Sequence, residues 1–339
     1  MFALLVVAAT AFAQETAPED RAFEGPAFYV SFQVPGYLDT YPQSINTFFS
    51  VAGYCAQGTN SYHGFVRDAW GAITLIDPPG STFTIAKSIN AAGAIAGYFQ
   101  GSSGGQGFVR SRRGDFATFD YRGNQTLAWS INDRGAATGY YVDASGVQHG
   151  FLRSPEGGIT SFDPPGSTNT FASSINNEGI VVGWYTAGGS QHGFVRDSHG
   201  GFTSFDPPES VLTSPTSIDA EGTIAGYYSD TSMVTPSQIT HGFVRSRQGT
   251  ITTFDPPGST QTSPQSINAK GAATGSYFDP ASGSSGFVRT RRGRIVVFNY
   301  PGATNTLVWG INDFGGITGT YQDSTVGPAT LGFVRVPTL

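Results

Sequence analysis

The sequence predicts an all-β chain: a seven-bladed β-propeller, four strands per blade, with the ring closed by the N-terminal strand joining the last blade. Three repeated blocks carry this reading. Gly-Phe-Val-Arg recurs at Gly64, Gly107, Gly193, Gly242, Gly286 and Gly332, with Gly-Phe-Leu-Arg at Gly150. Ser-Ile-Asn recurs at Ser44, Ser88, Ser130, Ser174 and Ser266, with Ser-Ile-Asp at Ser217 and Gly-Ile-Asn at Gly310. Phe-Asp-Pro-Pro-Gly stands at Phe162 and Phe254, with variants starting at Phe32, Ile76, Phe119, Phe205 and Phe298. Four short strands in a period of about 43 residues match propeller blades.

Each copy resolves into strands A to D. Strand A ends in Ser-Ile-Asn, and a tight turn such as Asn176-Asn177-Glu178-Gly179 follows, with Asn and Gly supplying the turn chemistry. Strand B carries Gly-x-aromatic, as in Gly183-Trp184-Tyr185, and strand C carries Gly-Phe-Val-Arg. A second turn, such as Ser111-Arg112-Arg113-Gly114, leads into strand D, as in Phe116–Phe119. Alternation within these runs has the strand period.

The two ends fix the closure. The chain begins its repeats on a D-type block, Phe32-Gln33-Val34-Pro35-Gly36, and ends just after the last C strand at Arg335. Residues near Phe32 therefore supply strand D of the last blade, which removes exposed sheet edges. The framework is rigid: ten positions separate Arg67 from Asp77, and the same interval recurs in the other five complete copies. Length varies between strands B and C, most of all from Asp219 to Gly242. B–C and D–A connections share one face, where variable loops on a rigid scaffold are expected to hold a binding site.

Composition narrows the class. Gly (46) and Pro (20) are abundant, but aromatics at 13% exclude a disordered chain. A net charge of −6 and only two lysines, Lys87 and Lys270, argue against nucleic acid. Residues 1–13, an apolar run ending Ala11-Phe12-Ala13, read as a signal peptide without the usual basic start. Residues 14–26 form a tail and 27–339 the propeller, so the mature chain is expected to be secreted or periplasmic, monomeric, and without a membrane span. The one cysteine, Cys55, stands where other copies carry Phe or Tyr and reads as a small buried hydrophobe.

Ile-Asn-x-x-Gly-x-x-x-Gly followed by His-Gly-Phe at His63, His149, His192 and His241 resembles the HAF-type extracellular repeat of bacterial proteins. Gly replaces that family's Ala throughout, and Gln106, Ser285 and Leu331 replace His in three copies. The resemblance spans about residues 27–336. It implies an exported propeller, and carries no catalytic residues to transfer.

Residues that repeat with the scaffold are read as serving it. The four histidines are expected to bond neighbouring loop carbonyls, not to hold a metal. Asp77, Asp120, Asp163, Asp206 and Asp255, with Asn299, are expected to fix their own turns. The strand-C arginines, Arg67 to Arg335, are expected to hydrogen-bond between blades. Candidate site residues are those that break the symmetry. Glu209 replaces the Gly of Pro-Gly-Ser, adjoins Asp206, and lies near Asp230 at the start of the long Ser229–Thr240 loop. These three are the one asymmetric acidic cluster for a paired-carboxylate reaction. Trp129 and Trp309 precede the strand-A Ser or Gly, and with Tyr228 are candidates for stacking on a ligand.

The expected function is an exported, non-catalytic binding propeller that recognises an extracellular carbohydrate or protein through its B–C and D–A loops, with no cofactor. The alternatives are a lyase or glycoside hydrolase acting on an extracellular polymer, and a structural surface protein.

Overall fold

The structure is a computed structural model that describes residues 23, 25–58, 61–230, 239–325 and 327–338. The expected signal segment, most of the tail, and positions 231–238 of the long unit-5 loop lie outside the described residues. Every regular element is a strand. Strand β1 (Ala27–Phe32) precedes the first A strand. Unit 1 is β2 (Asp39–Ile45), β3 (Val51–Ala56), β4 (Tyr62–Arg67) and β5 (Ile73–Leu75). Unit 2 is β6 (Phe83–Ile89), β7 (Ile95–Gly101), β8 (Gly104–Arg110) and β9 (Phe116–Phe119). Unit 3 is β10 (Gln125–Ile131), β11 (Ala137–Val142), β12 (Gln148–Arg153) and β13 (Ile159–Phe162). Unit 4 is β14 (Asn169–Ile175), β15 (Val181–Ala187), β16 (Ser190–Arg196) and β17 (Phe202–Phe205). Unit 5 is β18 (Ser210–Ile218), β19 (Ile224–Asp230), β20 (His241–Arg245) and β21 (Ile251–Phe254). Unit 6 is β22 (Gln261–Ile267), β23 (Ala273–Asp279), β24 (Gly283–Arg289) and β25 (Ile295–Phe298). Last come β26 (Asn305–Ile311), β27 (Ile317–Gln322) and β28 (Thr330–Pro337).

Within each unit consecutive strands pair antiparallel, and β1 completes the last sheet against β28, from Ala27↔Pro337 to Phe32↔Gly332. The described residues form six hydrogen-bonded sheets, five of four strands and one of eight. The eight-stranded sheet is units 4 and 5 joined by a single parallel pair, Gln191↔Leu212. An equivalent isolated parallel bridge, Thr240↔Gln261, stands between units 5 and 6.

The repeated blocks each have a packing cause. The seven strand-C phenylalanines, Phe65, Phe108, Phe151, Phe194, Phe243, Phe287 and Phe333, are completely buried, and each such burial is worth roughly 2–3 kcal/mol. Room for them, and for the strand pairing beside them, comes from the strand-B glycine. A Cβ on Gly183 would land on the carbonyl oxygen of Phe171 in the partner strand. Gly-x-aromatic is therefore a steric requirement of the A–B pair.

Ser-Ile-Asn is a latch between units. The Asn90 side-chain oxygen accepts from Ala94 N in its own turn, while its amide donates to the Asn132 carbonyl in the next unit at 2.9 Å. Ser88 Oγ accepts from Ile131 N, again in the next unit. The amide bridge recurs from Asn46, Asn132, Asn176, Asn268 and Asn312, the last donating to the Asn46 carbonyl. Two joints depart from it. Asp219 replaces the amide with a carboxyl, and Gly310 has no hydroxyl to offer Ile45.

The arginines depart from expectation. Arg153 does meet the neighbouring unit, but through the face of Phe119, with its guanidinium carbon 5.0 Å from the ring centre. Its hydrogen bond goes to the carbonyl of Ser154 in its own turn. Arg67, Arg196, Arg245, Arg289 and Arg335 repeat the cation–π contact on Phe32, Phe162, Phe205, Phe254 and Phe298. A guanidinium is weakly hydrated and flat, so an aromatic face is a suitable partner for it.

Candidate functional site

Every A strand carries a β-bulge just before Ser-Ile-Asn. A bulge re-aims the extra side chain away from the regular pleat. The bulged residues are Gln43, Lys87, Trp129, Ser173, Thr216, Gln265 and Trp309, and all seven line one cavity of about 350 Å³. Along each strand the order toward the A–B turn is bulge residue, Ser, Ile, Asn. A second cavity of about 240 Å³ lies on the A–B turn side, lined by the Ile and Asn levels.

The A–B strand pairs around the larger cavity are lopsided. In the first four units one cross-strand position holds Tyr41 with Tyr54, Ile85 with Tyr98, Leu127 with Tyr140, and Phe171 with Trp184, of which the last pair borders the cavity itself. In units 5 and 6 the same position shrinks to Ser214 with Tyr227 and Ser263 with Ser276. A continuous chain of ring contacts runs over the first four units through Tyr41, Tyr54, Tyr62, Phe83, Tyr98, Trp129, Phe171 and Trp184. It stops where the small residues begin. Phe171, Trp184, Ser214 and Tyr227 all border the cavity, so it combines an aromatic wall with a hydroxyl-rich one.

Lys87 is the one charged side chain lining this cavity among the described residues. Its Nζ donates to Gln43 Oε1 at 2.5 Å and lies 4.2 Å from the Trp129 ring centre. Enclosure by the surrounding walls pushes the ammonium pKa down to about 8. The indole nitrogen of Trp309 is buried and has no acceptor among the described residues.

The sequence-derived candidates divide between two places. Trp129 and Trp309 line the cavity. Trp129 is stacked on Tyr98 at 6.2 Å and edge-on to Phe171 at 5.0 Å, so its ring also serves the packing of the protein. The others lie elsewhere: Asp206 and Glu209 on the D–A connection between units 4 and 5, and Tyr228 and Asp230 at the end of β19. Asp206 is already committed, with Oδ2 2.7 Å from His192 Nδ1 and Oδ1 accepting from Thr213 at 2.5 Å. Glu209 takes a positive φ of 64°, the conformation that Gly166 and Gly258 adopt at the equivalent position. Asp230 pairs across the strands with Ser210, and its carboxylate lies 3.8 Å from His241 Nε2. Tyr228 packs against His241 at 5.2 Å, and burial pushes its phenol pKa up.

The histidines bond carboxylates, not the loop carbonyls expected of them. Nδ1 of His63, His149 and His241 lies 2.8, 2.7 and 2.6 Å from Asp77, Asp163 and Asp255. The D–A aspartates thus tie strand C to their loop; Asp120, bonding Gly123 N at 2.6 Å, also fixes its own turn as expected, and Asp206 and Asp255 accept from Thr213 and Thr262 across theirs. No cluster of three or more His, Cys, Asp or Glu suited to a metal occurs among the described residues. Cys55 is buried against the His63 carbonyl, and burial pushes its thiol up to about 12, in keeping with a packing role.

Lys87, Gln43, Gln265 and Phe171 were missed by sequence reasoning. The signal was the hypervariable residue before an otherwise constant Ser-Ile-Asn, together with the scarcity of lysine.

No family model matches the chain, and no curated protein matches it. Among solved structures it is similar to virginiamycin B lyase from Staphylococcus aureus, with a TM-score of 0.61 and 14% identity over 92% of this chain and 100% of that one. The β-propeller domain of the Trilobed protease from Pyrococcus furiosus gives 0.61 and 11%, over 89% and 94%. TolB from Acinetobacter baumannii gives 0.54 and 12%, over 73% and 62%. At such identities the likeness speaks to architecture alone, and it agrees with the strand topology: the chain is an all-β protein of the β-propeller fold.

Proposed function

We propose that the chain is an exported, closed seven-bladed propeller of the HAF type that binds a carbohydrate in its central cavity without transforming it. Closure is supported by the β1–β28 pairing and by packing of each A strand on the next, including β26 on β2. The observation that carries the binding reading is the bulge position. Seven side chains with no common chemistry are presented into one cavity by an otherwise constant framework, which is how a binding site is varied without changing its scaffold. Three of the four tryptophans, Trp129, Trp184 and Trp309, border a space of about 350 Å³ shared with serine hydroxyls and two glutamine amides. Flat aromatic faces beside hydroxyl and amide groups suit a sugar ring, and the volume falls at the small end of ligand pockets.

A hydrolase of the two-carboxylate kind needs both acids at the substrate, and the cavity lining holds neither. The rival site is the Asp206, Glu209, Asp230 cluster on the loops. One pair of variants separates them, assayed on an immobilised glycan panel. Ser214→Phe places in unit 5 the residue that unit 4 already carries at that position as Phe171, and fills the cavity. If the cavity is the site, S214F abolishes glycan binding while Glu209→Ala with Asp230→Ala leaves it intact. The reverse result, or polymer cleavage lost in the E209A/D230A protein, overturns this reading in favour of the loop site.

A further inference from the structure

We infer that the sugar held in the cavity is an acidic one, a uronic acid whose carboxylate is received by Lys87. This deepens the carbohydrate reading above and rests on it. The ammonium of Lys87 stands among Gln43, Trp129 and the serine hydroxyls, with no carboxylate in the lining to balance it among the described residues. An enclosed cation without a counter-ion is costly, and the Gln43 oxygen and the Trp129 ring offset only part of the lost hydration. A ligand carboxylate supplies the missing charge and forms a charge-assisted hydrogen bond, about twice as strong as a neutral one.

The charge count selects the class. One cation and no arginine match a singly charged carboxylate, whereas a phosphate dianion would bring an uncompensated negative charge into the same space. The other polar groups are suited to an acceptor-rich ring bearing hydroxyls. Gln265 and Ser266 line the far side. The lowered ammonium pKa agrees with a site that is short of negative charge, since a nearby carboxylate would raise it.

The test is calorimetric titration of the full chain with glucuronate, galacturonate and mannuronate, beside glucose, galactose and mannose. The wild-type protein is expected to bind at least one uronate tenfold or more tighter than its parent hexose. Lys87→Met is expected to abolish that preference, uronate and parent hexose then binding alike, while Lys87→Arg retains it; thermal melts confirm that both variants fold. Equal affinity for uronate and hexose in the wild type, or a preference that survives in K87M, overturns the inference and leaves the cavity reading standing. Binding of none of the six sugars by the wild type overturns the carbohydrate reading itself.

Discussion

The side-chain amide of Asn312 donates to the main-chain carbonyl of Asn46 at 3.0 Å, joining the last A strand to the first across 266 positions. Its oxygen accepts from Phe314 N and Gly316 N, so one side chain caps its own turn and bonds the last A strand to the first. Asn312→Ala removes all three bonds at a buried position, and a loss of about 2–3 kcal/mol is expected in urea unfolding. An unchanged midpoint would show that the latch contributes nothing to stability.

At Asp219 the same latch lacks its donor, because a carboxylate accepts but does not donate. Asp219→Asn restores an amide facing the Asn268 joint and keeps the oxygen that accepts from Thr223 N. A gain of about 1 kcal/mol at neutral pH is expected, roughly 2–4 °C in a melt. Burial raises the Asp219 carboxyl pKa above its ordinary value. A raised folded pKa means that the charged form destabilises, so the stability it withholds is restored as pH falls toward the ordinary carboxylate range. The advantage of D219N over wild type is therefore expected to shrink between pH 7 and pH 4, as followed by thermal melts.

His149 carries the opposite kind of linkage. Burial disfavours its charged form, but bonds to Asp163 and Asp143 outweigh this and raise its pKa above the usual histidine value. Its stabilising charge is fully present below pH 6.5 and is lost as pH rises through the folded value. The stability difference between wild type and His149→Gln is expected to be larger at pH 5.5 than at pH 8. A difference that does not vary with pH would mean that the ion pairs are energetically silent.

Gly183→Ala places a methyl group on the Phe171 carbonyl, inside the strand pair that presents Ser173 to the cavity. Backbone must move, and a loss above about 3 kcal/mol is expected, against less than about 1 kcal/mol for alanine at the open turn residue Gly166 plus its own cost at positive φ. Comparable losses at the two positions, measured by urea unfolding, would contradict the steric account of the Gly-x-aromatic motif.

The strand order and the constant blocks were legible because each repeated residue has one packing job: Phe194 fills a core, Gly183 clears a carbonyl, Asn176 bridges a joint. The cavity was half legible. Trp129 and Trp309 stood out as large residues breaking a pattern, but Lys87 and Gln43 did not, because a bulge is invisible in a simple alternation of apolar and polar positions. Symmetry-breaking also misled. Glu209 is conspicuous in sequence, yet it occupies a glycine's backbone position, and Asp206 beside it is held by His192 and Thr213. The histidine bonds were misassigned because strand C and the D–A aspartate lie 14 positions apart and meet only once strands C and D pair.

The cavity is tested most directly by its own tryptophans. Trp70 is 95% exposed in a C–D turn, and the other three, Trp129, Trp184 and Trp309, all border the cavity. In a Trp70→Phe protein every indole reports from that space. Titration with the sugar identified by calorimetry is predicted to shift the emission saturably, with the calorimetric midpoint. Calorimetric binding with unmoved emission would place the ligand elsewhere and contradict the account.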